Sequence, residues 1–295
     1  MKGNYEQRSR HYFPRRGYTL VRVDGKAFHT WTKGLEKPYD TFFMTFMDRT
    51  AIELCKQMMG AKFAFVQSDE ISILLTDFAS EETEAWFDGC QNKIESVSAS
   101  IATMVFNYQV TAIRTLIERE GDAYFPGVPF KQVPIIDASG KVHTVPKIAS
   151  KEPNALFDSR AWWMADPVEV QNYFLWRQKD AERNSVTMLA GKYASHKKLH
   201  GKSVADRHDI IHEAGDNWND HSVRFKRGAV IRKDDAGIWD MDAETPVFTR
   251  DPEYLEKLVP RIWGADEIEG TTVQEIMVKA AAKKREKKLA AKAGK

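Results

Sequence analysis

The chain is poor in cysteine: Cys55 and Cys90 are its only two, and their spacing fits neither a disulfide framework nor a zinc site. Both read as reduced packing residues. No run of about 18 apolar residues occurs, and the N-terminus MKGNYEQRSRHYF lacks the apolar core of a signal peptide, so the expectation is a cytoplasmic protein with no membrane contact. The sequence also lacks internal repeats and any linker long enough to force separate domains. With 42% hydrophobic and 29% charged residues over 295 positions, it has enough apolar material for one large core or two modest ones.

The net charge of +2 conceals an uneven distribution. Residues 279–295 carry a local +7, and residues 190–233 carry a local +5 together with five of the eight histidines. A polyanion would meet the C-terminal half and tail, although a basic Ala/Lys tail is equally well read as a solvated end. The five histidines at 196–221 have no compact metal-site spacing, so no zinc is expected there.

Tyr18–Asp24 is a β-rich run closed by Gly25, which predicts a buried strand with a carboxylate at its C-terminal end. Residues 41–59 have helical spacing up to Gly60. Lys62–Val66 and Ile71–Leu75 flank Gln67-Ser68-Asp69-Glu70, which predicts a tight hairpin with the acidic pair at its turn. Glu81, Glu82 and Glu84 suit the N-terminal end of a following helix that runs to about Asn107. Gly- and Pro-punctuated sequence from about 120 to 160 predicts loops and short strands. Asp166-Pro167-Val168-Glu169 predicts the capped start of a long helix. Within it Tyr173, Phe174 and Trp176 read as core rather than as base-stacking platforms, as do Trp162 and Trp163 before it, while Arg177, which could bond within the core or face RNA, is left unassigned.

Carboxylates at a strand end and on a neighbouring hairpin can converge, and like charges about 4 Å apart repel by roughly 4 kcal/mol at an effective dielectric near 20. Such a cluster calls for a cation, and magnesium, a hard ion that takes one or two carboxylates and shares phosphate oxygens, is the natural one. Plain turn chemistry is the competing reading of Asp24-Gly25 and Ser68-Asp69-Glu70. Gly25 and the nearby Lys26, His29, Lys33 and Lys37 favour a metal–triphosphate instead.

At these residues the sequence resembles the tRNA-His guanylyltransferases and their bacterial, archaeal and phage relatives, the 3′-to-5′ polymerases. RVDGKAFHTWTKGLEKPYD (22–40) resembles the metal and triphosphate segment, and QSDEISILL (67–75) the second acidic segment. GCQNKIESVSASIATMVFN (89–107), FDSR (157–160), NYFLWRQKDAERN (172–184) and FKRGAVI (225–231) resemble further landmarks. The likeness covers about residues 15–235.

The resemblance implies an α+β fold: a polymerase/cyclase-like palm domain, with an antiparallel sheet and helices on one face, plus a helical C-terminal part. The corresponding division is a palm over 1–150, a helical, basic, RNA-facing part over 151–278 and a tail over 279–295. It also implies a homotetramer acting on tRNA in the cytoplasm, with two Mg2+ ions and ATP or GTP as substrates. Asp24, the Gly25 carbonyl and Asp69 would bind metal, with Glu70 as a further catalytic carboxylate. Lys26, Ala27, Phe28, His29 and Ser68 would meet the nucleoside triphosphate, and Lys37, Asp40 and Lys93 a second nucleotide or the 5′ end. Asn184 matches the family at a candidate RNA-binding position, and Lys197, Lys198, Lys202, Arg224, Lys226 and Arg227 are candidate phosphate contacts on their charge.

Where the eukaryotic enzymes that add one guanylate carry His-Ile-Asn-Asn, this chain has Glu182-Arg183-Asn184-Ser185. Its wording resembles the bacterial-type like proteins, which repair 5′-truncated tRNA by templated addition. Alternatives are strict tRNA-His guanylylation, a nucleotide cyclase, and a non-catalytic RNA-binding protein on the same fold.

Overall fold

A computed structural model describes residues 1–120, 132–136, 140 and 142–261. The strands in chain order are β1 (Tyr18–Gly25), β2 (Ala61–Gln67), β3 (Glu70–Thr76), β4 (Gln132–Ile136), β5 (Val142–Pro146), β6 (Phe157–Met164), β7 (Ala229–Lys233) and β8 (Trp239–Asp242). The α-helices are α1 (Phe28–Trp31), α2 (Thr41–Gln57), α3 (Gln91–Glu120), α4 (Pro167–Tyr193), α5 (His196–Leu199), α6 (Val204–Glu213), α7 (Val223–Arg227) and α8 (Pro252–Leu258). Six strands form one antiparallel sheet in the order β6-β1-β3-β2-β7-β8, and β4 and β5 pair separately.

Successive side chains of a strand point to opposite faces, and both faces of this sheet are covered. Val21, Val23, Ala64, Val66, Ile71 and Ile73 pack under α2 and α3 with Phe43, Phe46, Met47, Phe106 and Val110. Tyr18, Leu20, Phe63, Phe65 and Leu74 pack on the other side against Val170 and Phe174 of α4, with Phe248 and Leu255. The second half of α4 holds α5, α6 and α7 through Val186, Leu189, Ile211 and Phe225. The expected α+β architecture is thus present: an antiparallel sheet backed by helices, and a helical C-terminal part.

Asp40 caps α2 by accepting from the Phe43 N–H at 3.1 Å, and Asp166 caps α4 by accepting from Val168 at 2.8 Å, with Pro167 in the first turn. Cys55 and Cys90 are buried free thiols. Three expectations are corrected. The sheet takes β6, β7 and β8 from beyond residue 150, so that position is not a boundary between separately built layers. Glu81, Glu82 and Glu84 do not start α3, which begins at Gln91. Their segment is held by arginines instead: Arg15 donates to the Thr83 carbonyl and Arg16 to the carbonyls of Asp77, Ser80 and Glu81. Trp176 is 48% exposed rather than core. The tail 279–295 lies outside the described residues.

Candidate active site

Both acidic segments arrive at the same end of the sheet. Asp24 stands directly opposite Glu70 on β3 and Asp158 on β6, and opposed residues of antiparallel strands share a face. Asp69 sits in the two-residue turn between β2 and β3, and its carbonyl accepts from the Gly25 N–H at 3.1 Å, which ties the turn to the end of β1. Gly25 must lack a side chain: a Cβ there would fall 2.3 Å from the Phe28 ring. Phe28 is buried in an aromatic cluster with Trp31, Phe43, Phe106 and Phe157, so it anchors the loop in the core and only its backbone faces the site.

Two residues here hold left-handed backbone without being glycine, Ala27 (φ 55°) and Ser68 (φ 49°). Each such conformation costs roughly 1–2 kcal/mol. At Ala27 it turns the chain abruptly from β1 into α1, whose first hydrogen bonds run from Thr30 and Trp31 back to the Ala27 carbonyl. The N–H groups of Ala27, Phe28 and His29 precede that turn and find no backbone acceptor among the described residues. The Lys26 N–H is engaged, donating to the Leu156 carbonyl at 2.8 Å.

Beside these groups lies a cavity of about 720 Å³, lined by Gly25, Ala27, Phe28, His29, Lys33, Lys37, Asp40, Ser68 and Asp69. Met188 and Gly191 of α4 also line it. That volume suits a nucleotide-sized ligand. Burial raises the pKa of Asp24, and the neighbouring Asp158 charge raises it further. Burial likewise raises Asp69, with the Asp24 charge adding to the effect. This is the electrostatic signature of carboxylates held together without enough positive charge. Among the described residues, no three His, Cys, Asp or Glu side chains gather to enclose an ion on their own. Two carboxylates fit an ion that completes its shell with phosphate oxygen and water.

Glu70 behaves differently from the other two acids. Arg177 of α4 donates from Nη2 to Oε2 at 2.8 Å, and its Nε lies 2.7 Å from Oε1 at an angle too bent for a hydrogen bond. Both oxygens of Glu70 are therefore occupied by a buried guanidinium, and its geometry is that of an anchor rather than of a metal clamp.

Other expectations also divide. Lys26 is exposed and outside the cavity wall. Lys93 lies over the Phe87 ring at the start of α3, whereas it is Thr103, ten residues on, that receives the Phe157 N–H at the level of Gly25. Along the helix axis the Lys93 backbone is therefore offset by about 15 Å from that of Thr103. Asp40 lines the cavity but its carboxylate is held as the α2 cap.

Lys197, Lys198, Lys202 and Asn184 are exposed, Asn184 donating to Asp180 at 3.3 Å. Arg224 is instead locked to Asp48 at 2.8–2.9 Å, and Lys226 is buried, donating to the Asn219 carbonyl at 2.6 Å. Arg227 is half-buried and pairs with Glu182 at 3.2 Å. These three hold α7 in place. Residues that the sequence reading missed include Tyr39, Met188, Gly191 and Arg177; all but Tyr39 belong to α4, whose inward face is fixed only by packing.

Residues 1–165 match the family model described as tRNAHis guanylyltransferase. The chain is similar to a bacterial tRNA(His) guanylyltransferase-like protein solved with ATP, at 37% identity over 88% of this chain and 97% of that one, TM-score 0.70. A bacterial like protein solved with GTP gives 34% identity, the same coverage and TM-score 0.66. The tRNA(His) guanylyltransferase of Debaryomyces hansenii is 26% identical over 230 residues, 72% of each chain. An antiparallel sheet that brings Asp24 and Asp69 together beside a nucleotide-sized cavity, and a family match over more than half the chain, lead to one conclusion: the protein belongs to the tRNAHis guanylyltransferase family of nucleotidyltransferases.

Proposed function

We propose that this enzyme is a 3′-to-5′ nucleotidyltransferase that activates the 5′ end of a tRNA with ATP or GTP and then adds nucleotides to it, restoring truncated 5′ ends against a template. The observation that carries the reading is the convergence of Asp24 and Asp69 at one end of the sheet, Asp69 lining the cavity and Asp24 directly preceding Gly25 of its wall, with both pKa values raised by burial first and then by a neighbouring carboxylate, Asp158 for Asp24 and Asp24 for Asp69. ATP and GTP in the two similar bacterial proteins support nucleoside triphosphates as substrates.

In this proposal Asp24, Asp69 and the Gly25 carbonyl hold Mg2+. Two such ions supply clamping of the attacking and leaving oxygens of an in-line displacement. The chain's own residues do the rest. The N–H groups of Ala27, Phe28 and His29 donate to triphosphate oxygens, with Ser68 alongside. Lys33 and Lys37, which line the same cavity, neutralise phosphate charge. Arg177 keeps Glu70, and with it the Asp69 turn, in register with Asp24.

Templated repair, rather than one guanylate on tRNA-His, is favoured by residues 182–185. Glu182 is taken up by Arg227, and Ser185 donates to the Lys226 carbonyl and accepts from Trp218. Two of these four positions therefore bind α7 to α4 instead of facing RNA. A homotetramer working in the cytoplasm belongs to the same proposal.

The test is incubation with 5′-truncated, triphosphorylated tRNAs of several identities and labelled nucleotides. Extension of several tRNAs to the templated length is expected. Extension of tRNA-His alone, by one guanylate, would replace this reading with strict guanylylation. Asp24→Ala and Asp69→Ala should nearly abolish addition while tRNA binding stays within a few-fold, because the metal clamp acts on the transition state.

A further inference from the structure

The exposed indole of Trp176 stands apart from the cavity, and packing of the core does not explain it. It is 48% exposed on α4, and yet it is rigidly set. The Arg177 guanidinium lies 4.6 Å from its ring centroid. Tyr173 lies 6.0 Å from it, and Tyr173 is itself fixed by a hydrogen bond to Ser72 (2.8 Å) and an edge contact with Trp162 (5.3 Å). One side of the ring is thus held by neighbours, and exposed surface remains on the rest.

The register shows where this ring stands. Tyr173 bonds Ser72, which is opposite Arg22, which is opposite Arg160 on the edge strand β6. Arg177, the next residue after Trp176, reaches Glu70, which is opposite Asp24, which is opposite Asp158. Trp176 therefore lies on the sheet face to which Asp24 belongs, between the Arg22–Arg160 and Asp24–Asp158 levels. The cavity lies at the end of β1, so Asp24 is flanked by the cavity on one side and by this face on the other.

We infer that Trp176 is a stacking platform for an unpaired base of the polynucleotide whose end is presented to Asp24. The inference rests on the proposed polynucleotide substrate and names where its end is held. A fixed aromatic ring beside a guanidinium suits any base, because every base has a π face. Charge near the ring is mixed: Arg22, Arg160, Arg177, Lys179 and Arg183 stand with Asp24, Glu70, Asp158 and Asp180. Attraction of a polyanion in bulk is therefore not this surface's contribution, and the exposed Arg160, with 61% of its side chain accessible, is the group placed to meet a phosphate beside the stacked base.

The experiment uses the full chain, Trp176→Ala and Trp176→Phe, with a five-nucleotide single-stranded RNA bearing a 5′ phosphate and, separately, ATP with Mg2+ as probes. Trp176→Ala should weaken oligonucleotide binding by about 5- to 150-fold, the range for removal of one base–aromatic stack. Trp176→Phe should retain most of the affinity, and ATP affinity should change less than about two-fold in both. Because stacking releases no counterions, the ratio of parent to Trp176→Ala affinity should hold constant from low to high salt.

Circular dichroism and light scattering on the same samples complete the test. Equal oligonucleotide affinity of parent and Trp176→Ala, no measurable binding by the parent, or a change in the size of the assembly on substitution would each overturn the platform, the last because a second copy would then cover the ring. If the platform holds and no RNA is extended, the proposed reaction fails while the subsite stands. If tRNA is extended and Trp176→Ala binds as the parent does, the subsite alone fails.

Discussion

Replacing Arg177 with methionine would leave the Glu70 carboxylate stranded. In the parent chain the side chains of this pair are 6% and 14% exposed, so solvent screens the interaction little. Removing one partner of a buried ion pair costs about 3–5 kcal/mol. Arg22, whose Nε stands 3.9 Å from Glu70, remains as a weaker counterion and puts the expected loss near the lower end, about 3 kcal/mol. Glu70→Gln should cost less, about 1.5 kcal/mol, because Arg177 keeps Asp180 at 3.4 Å and an amide oxygen still accepts from it. The double variant should be more stable than Arg177→Met alone, since it buries no lone charge.

The pH dependence has a definite sign. Burial already raises the Glu70 pKa in the parent, and loss of Arg177 raises it further. A carboxyl with a raised folded pKa contributes its stability below its ordinary range and loses it as pH rises through the folded value. The Arg177→Met deficit should therefore shrink as pH falls from 7.5 toward about 5. Urea unfolding followed by tryptophan fluorescence at several pH values measures all four chains. A deficit under about 1 kcal/mol, or a double variant worse than the sum of the singles, would refute the buried pair as described.

Asp69→Asn should raise the urea midpoint of the metal-free protein near pH 7 and lose that advantage near pH 4, because Asp24 and Asp69 both have raised folded pKa values; a less stable Asn variant at pH 7 in EDTA would contradict this. Arg224→Ala should destabilise by about 3 kcal/mol or more through loss of the buried Asp48 pair, with tRNA affinity of the folded fraction unchanged within about two-fold. The opposite pattern, weak binding without loss of stability in a filter-binding and melting comparison, would return Arg224 to the RNA-facing set.

Local signals made the end of the sheet that carries the candidate site legible. β1 ends in Asp24-Gly25, and the β2–β3 turn is built from Ser68-Asp69, so each acid is placed by its own few neighbours, and antiparallel pairing then brings the two together. What periodicity could not reach were residues whose role depends on a remote partner. Arg177 and Trp176 are adjacent on one helix; one is buried because Glu70 lies beneath α4, the other is exposed because no described residue covers that side. Glu81, Glu82 and Glu84 look like a helix start, but arginines from the N-terminal segment capture the surrounding carbonyls and delay α3 to Gln91. Lys93 rests on resemblance alone: it lies over the Phe87 ring and is not part of the cavity lining.

The same distinction redistributes the positive charge of residues 190–233. Arg224 pairs with Asp48, Arg227 with Glu182 and Arg232 with Asp242, and Lys226 is buried on a carbonyl, so four of its cations are held within the fold. Lys197, Lys198 and Lys202 are exposed and follow closely on Gly191, which lines the cavity. Among the described residues of 190–233, exposed charge thus includes Lys197, Lys198 and Lys202, which follow directly on the C-terminal end of α4. Each phosphate that the protein no longer neutralises should flatten the plot of log affinity against log salt by about 0.7 to 0.9. Replacing Lys197, Lys198 and Lys202 together by alanine should therefore lower the slope of tRNA binding by about 2 to 3 and leave the melting temperature within about 2 °C, since all three are exposed surface positions. Arg227→Ala should do the reverse, lowering stability and leaving the slope alone. A triple variant with an unchanged slope would mean that tRNA phosphate is met elsewhere on the chain.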